Sequence, residues 1–402
     1  MSASMPISRR HFLGGAAAVS GAALVGCSTE SGPRAGAATT STSPPSLGGG
    51  DDGILVLVNL DGGNDGLNTV CPSEDGRYRS ARGALALDPN ATHPLSEGFG
   101  LHPALSRTKQ IWDRGDLAIV HGVGFSGLDR SHFHCRDVWQ AANDRPTNGW
   151  VGRWLDSTEH DAMAAVAVDR LLPLVLRGDL RSGAVVPPAP FTLPDEAALS
   201  SALNRMGKTH RSQTELEAAV AASIGDLMGV GEMVAPVLSH LDGDEQVGTG
   251  HSLTAKLETV AALIAADLGT RVFTVQLGGF DTHASQLATH AALLGELDSA
   301  IARFLDLIGN RPVTVAVWSE FGRRVAANAS EGTDHGKASV MLVAGQVKGG
   351  HHGDPSMLNR LDDGDLATTM DFRSVLGGLA EGVLGLDSAD VVGKSYKPLS
   401  LV

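Results

Sequence analysis

The sequence predicts an α/β protein with a mostly parallel central sheet covered by helices on both faces. Three observations carry that reading. Short, continuous apolar runs at 53–60, 116–122, 271–277, 313–318 and 338–344 lack in-out alternation, as strands buried on both faces do. Amphipathic helical patterns, at 103–114 and 288–308 among others, lie between them. Several of the runs stop abruptly in turns rich in Gly and Asp.

Taken in order, the first strand, 53–60, ends in Asp61-Gly62-Gly63-Asn64-Asp65-Gly66. The helix at 103–114 leads into the strand at 116–122. The segment Gly127-Leu128-Asp129-Arg130-Ser131-His132-Phe133-His134 then enters a helix at 134–142. Trp150 and Trp154 stand four apart and read as packing residues of a helix. Residues 172–178, with Leu174-Val175-Leu176, read as a further strand. The stretch 195–268 is mostly helical. The strand at 271–277 ends in Gly278-Gly279-Phe280-Asp281-Thr282-His283, and the one at 313–318 in Ser319-Glu320-Phe321-Gly322-Arg323. The last strand, 338–344, is preceded by Glu331-Gly332-Thr333-Asp334-His335-Gly336. His351-His352 reads as a solvated loop pair, and the acidic run 361–365 as a turn before a helix starting near Leu366.

Ahead of this lies an address. Ser8-Arg9-Arg10-His11-Phe12-Leu13 and the apolar run to Val25 form a basic segment followed by a hydrophobic one of signal-peptide length. It resembles a twin-arginine export signal. Its end, Leu24-Val25-Gly26-Cys27, resembles a lipobox, so residues 1–27 are expected to direct export and Cys27 to carry a membrane-anchoring lipid. Residues 28–52 are a Ser/Thr/Gly/Pro-rich linker that cannot repay its chain entropy by burial. Residues 53–402 form the folded domain. No later segment offers 18 uninterrupted apolar residues, so no span is expected there.

Composition narrows the function. The 402-residue chain carries a net charge of −14, which argues against bulk nucleic-acid binding. Three cysteines exclude a disulfide scaffold or a Cys-rich zinc module, and pairing of Cys71 with Cys135 stays open. Fifteen histidines leave ample imidazole for metal ligation or proton transfer.

The chemistry-bearing residues sit where strands end. Asp61, Asp65, Asp281, His283 and Glu320 each follow an apolar strand, the edge where open α/β sheets hold ligands. Asp334 and His335, on the loop before the last strand, can reach the same crevice. Carboxylates with imidazoles and no thiolates form the donor set of a divalent cation, zinc first, with manganese or calcium as alternatives. Ser131 falls at a helix start, where it is either a cap alone or a cap that also reacts. His132 or His134 can assist it, and Arg130 or Arg323 can clamp an anion.

The segments Leu60-Asp61-Gly62-Gly63-Asn64-Asp65-Gly66-Leu67-Asn68-Thr69, Arg130-Ser131-His132-Phe133, Gly278-Gly279-Phe280-Asp281-Thr282-His283, Ser319-Glu320-Phe321-Gly322-Arg323 and Thr333-Asp334-His335-Gly336 occur in this order. Together they resemble the DUF1501 proteins, over roughly residues 53–390. That family is grouped with the alkaline phosphatase and sulfatase superfamily. The resemblance implies an alkaline phosphatase-like fold, with Asp61 or Asp65 as the first metal ligand and Ser131 at the nucleophile position. It also implies Asp281 and His283 as the Asp…His loop, Glu320 in place of a strand-end Asp, and His335 as the late His. Phe321 stands where the superfamily has a His, and the Asp281–His283 spacing is shorter than usual.

The resulting expectation is an exported, metal-dependent hydrolase of phosphate or sulfate esters. Asp61, Asp65, Asp281, His283, Glu320, Asp334 and His335 are the metal candidates, and Ser131, Arg130 and His132 the catalytic ones. The partners expected are a small-molecule or glycan ester, the twin-arginine machinery and, through Cys27, the membrane. The alternative is a non-catalytic cell-surface lipoprotein that keeps the fold.

Overall fold

The computed structural model describes residues 53–158, 161–188, 196–239, 241, 252–355 and 357–402. Cys27 and the segments 1–27 and 28–52 lie outside them. In chain order the main elements are β1 (Ile54–Asp61), α1 (Ser106–Asp113), β2 (Leu117–Gly124), α2 (His132–Ala141), α3 (Trp150–Ser157), β3 (Ala165–Val168) and β4 (Ala184–Val186). Then come α4 (Ala197–Met206), α5 (Glu215–Leu238), α6 (Leu253–Ala265), β5 (Val272–Gly278), α7 (Gln286–Ile308), β6 (Val313–Trp318), β7 (Ser339–Gly345), β8 (Gly350–His352), β9 (Met370–Asp371) and α8 (Phe372–Leu384).

The strands form one sheet in the order β8-β2-β7-β6-β1-β5-β3-β4, with β9 beside β2. Every pairing in it is parallel except those of β7, which runs against both β2 and β6. The sheet is therefore mostly parallel and flanked by helices. Its two faces are read from β1. Val56, Val58 and Leu60 point into a core shared with α1, α6 and α7, and Leu55 and Leu57 into one shared with α2, α3 and α8. Because both faces are dry, the strand needs no polar alternation.

The reversed strand has a functional consequence. Ser339, at the start of β7, pairs with Val123 near the end of β2, and Gly345, at its finish, pairs with Thr314 near the start of β6. The loop leading into β7 thus lies at the carboxyl edge of its neighbours. Asp334 and His335 precede their strand yet share an edge with Asp61, Asp281 and Glu320, which follow theirs.

Three expectations need correction. Residues 172–178 do not form a strand: Pro173 caps a short 3-10 turn, Leu174–Leu176, that packs into the core. The strands beyond β5 are instead the short β3 and β4. His351 and His352 are not a loop pair but lie in β8, where the His351 ring contacts Phe99, Trp112 and His121. The final long helix starts at Phe372, and residues 361–366 form a two-stranded ribbon. Cys71 and Cys135 are separate, free and buried, and burial pushes both thiols up to about 12.

Candidate metal centre

Three loops and one helix start meet at the carboxyl edge of the sheet. The turn after β1 passes tightly under the others. Gly62 has φ +119, and a Cβ there would fall onto the backbone of Phe280 and Asp281, so only glycine fits. Arg323 then ties the loops together from a buried position. Its Nε donates to the Gly63 carbonyl at 2.7 Å, Nη1 to Thr333 O at 2.8 Å, and Nη2 to Phe280 O at 3.0 Å, to Gly62 O and to Asp281 Oδ1 at 2.7 Å. One guanidinium thereby fixes the turn after β1, the turn after β5 and the loop before β7.

Within this frame three imidazoles turn the same atom toward one point. His335 Nε2 lies 3.1 Å from His132 Nε2, 2.9 Å from His283 Nε2 and 3.1 Å from Asp281 Oδ1. Asp281 Oδ1 is also 3.0 Å from His283 Nε2 and 3.5 Å from His132 Nε2. His132, Asp281 and His335 form a cluster whose ligand atoms all lie within 4.8 Å of one another.

The opposite ring nitrogens settle the protonation. His132 Nδ1 meets Glu320 Oε1 at 2.7 Å, His283 Nδ1 meets Asp334 Oδ1 at 3.2 Å, and His335 Nδ1 meets the Arg130 carbonyl at 3.0 Å. A carboxylate and a carbonyl only accept, so each Nδ1 carries the proton and each Nε2 of a neutral ring offers a lone pair. Three lone pairs then face one another and the Asp281 oxygen, which accepts from Arg323 on its other side, with no proton between the rings. His132, Asp281 and His335, with His283 beside them, fit a divalent cation: ligands around tetrahedral zinc at its usual bond lengths stand about 3.4 Å apart. The His–carboxylate and His–carbonyl contacts behind them are the supporting bonds that orient metal-binding imidazoles.

Burial works to raise the Asp281 pKa, but the hydrogen bond from Arg323 and the Arg323 charge hold it down to about 2. His132 is raised, chiefly by its bond to Glu320, and His335 is lowered, chiefly by burial. The cluster is open to water, with the Asp281 side chain 49% and that of His283 43% exposed.

The family model described as "Protein of unknown function (DUF1501)" matches residues 127–359, a span that includes His132, Asp281, His283 and His335. This chain belongs to the DUF1501 family. A twin-arginine translocation signal model matches residues 6–26, marking the DUF1501 chain for export across the cytoplasmic membrane. No curated protein matches its sequence. Similar solved structures include the zinc complex of the C-terminal periplasmic domain of EptC from Escherichia coli, at 9% identity over 87% of this chain and 89% of that one, TM-score 0.42. They also include the alkaline phosphatase of the Antarctic bacterium TAB5, at 10% identity over 74% and 92%, TM-score 0.36. A third is the lipoteichoic acid synthase LtaP from Listeria monocytogenes, at 9% over 85% and 74%, TM-score 0.34.

In this DUF1501 protein the remaining sequence candidates sit around the cluster. Glu320 is fully buried behind His132, its Oε1 also accepting the Gly62 N–H at 2.9 Å. Asp334 stands behind His283 and is held by Asn328 as well. Asp61 and Asp65 do not join. Asp61 Oδ1 takes Arg136 Nη1 at 2.7 Å. Asp65 is buried, and its oxygens receive Arg82 at 2.5 and 2.8 Å, Gln286 at 2.5 Å and the Asn68 N–H at 3.3 Å. The anion-clamp reading of Arg323 and Arg130 does not hold either. Arg323 is spent on the loops, and the Arg130 guanidinium pairs with buried Asp365. Arg130 contributes its carbonyl instead, from a backbone at φ +63. Ser131 is the N-cap of α2, accepting the His134 N–H, next to His132. The sequence offered no signal for Arg136 or Asp365, whose partners Asp61 and Arg130 lie far away in the chain, nor for Asn328, whose amide joins nearby Asp334 to the distant His283 carbonyl.

Proposed function

We propose that this exported DUF1501 protein is a metal-dependent hydrolase of phosphate or sulfate esters. The observation that carries the reading is the convergence of His132, His283 and His335 Nε2 with Asp281 Oδ1, each imidazole held from behind in the tautomer that leaves a lone pair inward. His132, Asp281 and His335, with His283 beside them, would hold a divalent cation, with zinc the leading candidate on donor chemistry and manganese or calcium as alternatives. Such a cation supplies positive charge where negative charge builds on the transferring group.

The chain's own residues do the rest. Glu320 and Asp334 keep the rings oriented, and Arg323 keeps Asp281 ionised. Ser131, capping the ten-residue helix α2, sets its hydroxyl where backbone N–H groups and the helix dipole favour an anionic group, and serves as the nucleophile. In the living cell Cys27 carries a lipid, and residues 28–52 tether the folded unit 53–402 to the membrane face. The substrate is a small-molecule or glycan ester met outside the cytoplasm.

The test is turnover of aryl phosphate, aryl phosphodiester and aryl sulfate by zinc-loaded protein. Ser131→Ala and Asp281→Asn should each lower the rate by about a hundredfold or more. Rates equal to wild type in both variants would remove this assignment.

A further inference from the structure

A cavity of about 510 Å³ opens on the α2 and α3 side of the sheet. That volume lies in the range of about 300–1,000 Å³ typical of small-molecule sites. Its walls are mainly apolar, with Leu57, Trp139, Trp150 and Trp318 among them. Polar and charged residues, Arg136, Asp137, Asp169 and Arg170 among them, also line it, and two of the lining residues carry buried polar atoms without partners among the described residues. Asn59 is 4% exposed, and among the described residues neither its Oδ1 nor its Nδ2 has a hydrogen-bond partner. Trp139 is also 4% exposed, and its Nε1 likewise has none. Asn59 interrupts an otherwise apolar strand on the face that carries Leu55 and Leu57, where a leucine would pack without cost. A buried amide left without partners is costly, so its presence calls for something that pairs with it.

We infer that this cavity is a binding site for a small uncharged molecule with a ring-sized apolar body and a polar end that both donates and accepts a hydrogen bond, such as a carboxamide or a hydroxyl. The polar end accepts from Asn59 Nδ2 and Trp139 Nε1 and donates to Asn59 Oδ1. The body fills the tryptophan-lined space. Arg136 lines the same cavity and lies one helical turn from His132, a rise of about 6 Å. The cavity and the metal centre thus share helix α2, although none of His132, Asp281, His283 and His335 lines the cavity. Resting on the hydrolase reading, it holds the organic part of the ester; its capacity to bind does not depend on that reading.

Benzamide and phenol, with toluene as the apolar control, test this on the metal-free protein. The readouts are tryptophan fluorescence, since three tryptophans line the cavity, and saturation-transfer NMR. Benzamide and phenol should bind saturably and toluene about tenfold or more weakly. Asn59→Leu should bring benzamide down to the level of toluene, and Trp139→Phe, which keeps the ring and removes the donor, should weaken it about threefold or more. If Asn59→Leu does not fold, Trp139→Phe decides by the same criterion. No saturable binding, equal affinity for benzamide and toluene, or unchanged benzamide affinity in the folded variants would overturn the inference and leave the orphaned groups to water. Zinc titration of the same proteins separates the two readings: Asp281→Asn should lose zinc and keep benzamide, and Asn59→Leu the reverse.

Discussion

Glu320 Oε1 lies 2.7 Å from His132 Nδ1 while accepting the Gly62 N–H, so one buried carboxylate both orients an imidazole and anchors the turn after β1. Glu320→Gln keeps the shape but can present an amide N–H to His132 and favour the wrong tautomer. Zinc affinity, measured by competition with a chromophoric chelator, should fall about 10–100-fold.

The centre and the Asp65 site behave differently. Asp281→Asn and His335→Ala each remove a converging atom and should abolish stoichiometric zinc after dialysis. Asp65→Asn should leave one zinc per chain, because the Asp65 oxygens are occupied by Arg82, Gln286 and Asn68. Loss of zinc in Asp65→Asn would place Asp65 in the centre after all.

Arg82→Ala isolates that buried carboxylate. The pair is 0% and 1% exposed, and the Asp65 pKa is lowered because Arg82 and its other donors outweigh burial. Removing one partner of a buried pair costs about 3–5 kcal/mol, so the urea midpoint should drop markedly.

Arg323→Lys should also destabilise the fold, by about 2 kcal/mol or more, because an ammonium cannot serve the turn after β1, the Phe280–Asp281 turn and Thr333 at once. Zinc affinity should fall with it. The paired readout is urea unfolding and zinc competition; a change in neither would mean the loops hold their positions without the guanidinium.

Stability should decline in mild acid. Burial, first among the causes, lowers His121 to about 3 and His102 and His290 to about 4. The unfolded chain takes up protons below its ordinary His pKa of about 6.5, where these folded rings stay neutral. Their contribution is therefore complete above about pH 6.5 and is lost as pH falls through the window down to the folded values. Thermal unfolding at about pH 7.5 and pH 4.5 should differ by several degrees, with the lower midpoint in acid.

The long strands and helices were legible because their signals are local. β1, β2, β5, β6 and β7 are apolar runs, and α1 and α7 repeat with helical period. The misses are also physical. β3 and β4 have four and three residues, too short for a periodic signal. Residues 172–178 look like a strand by apolarity alone, and Pro173 with its packing decides otherwise. Asp281, His283 and His335 were legible as metal candidates only through their combination at one edge of the sheet, since each alone reads equally as a turn or cap residue. Asp61 and Asp65 carry the same local signature and were indistinguishable from them until Arg136 and Arg82 appeared beside them.

By itself the sequence determined the class of sheet, the edge at which polar residues gather, the export signal and the metal-compatible chemistry of the side chains. All of these follow from residue type and near-neighbour spacing. Only the tertiary structure decided which of those side chains meet. The direction of β7 carries Asp334 and His335 to the carboxyl edge, and Arg323 draws three loops onto one guanidinium. His132 Nε2 and His335 Nε2 come within 3.1 Å across 203 residues of chain. Strand direction and long-range hydrogen bonding are properties of the packed whole, so no local pattern encodes them.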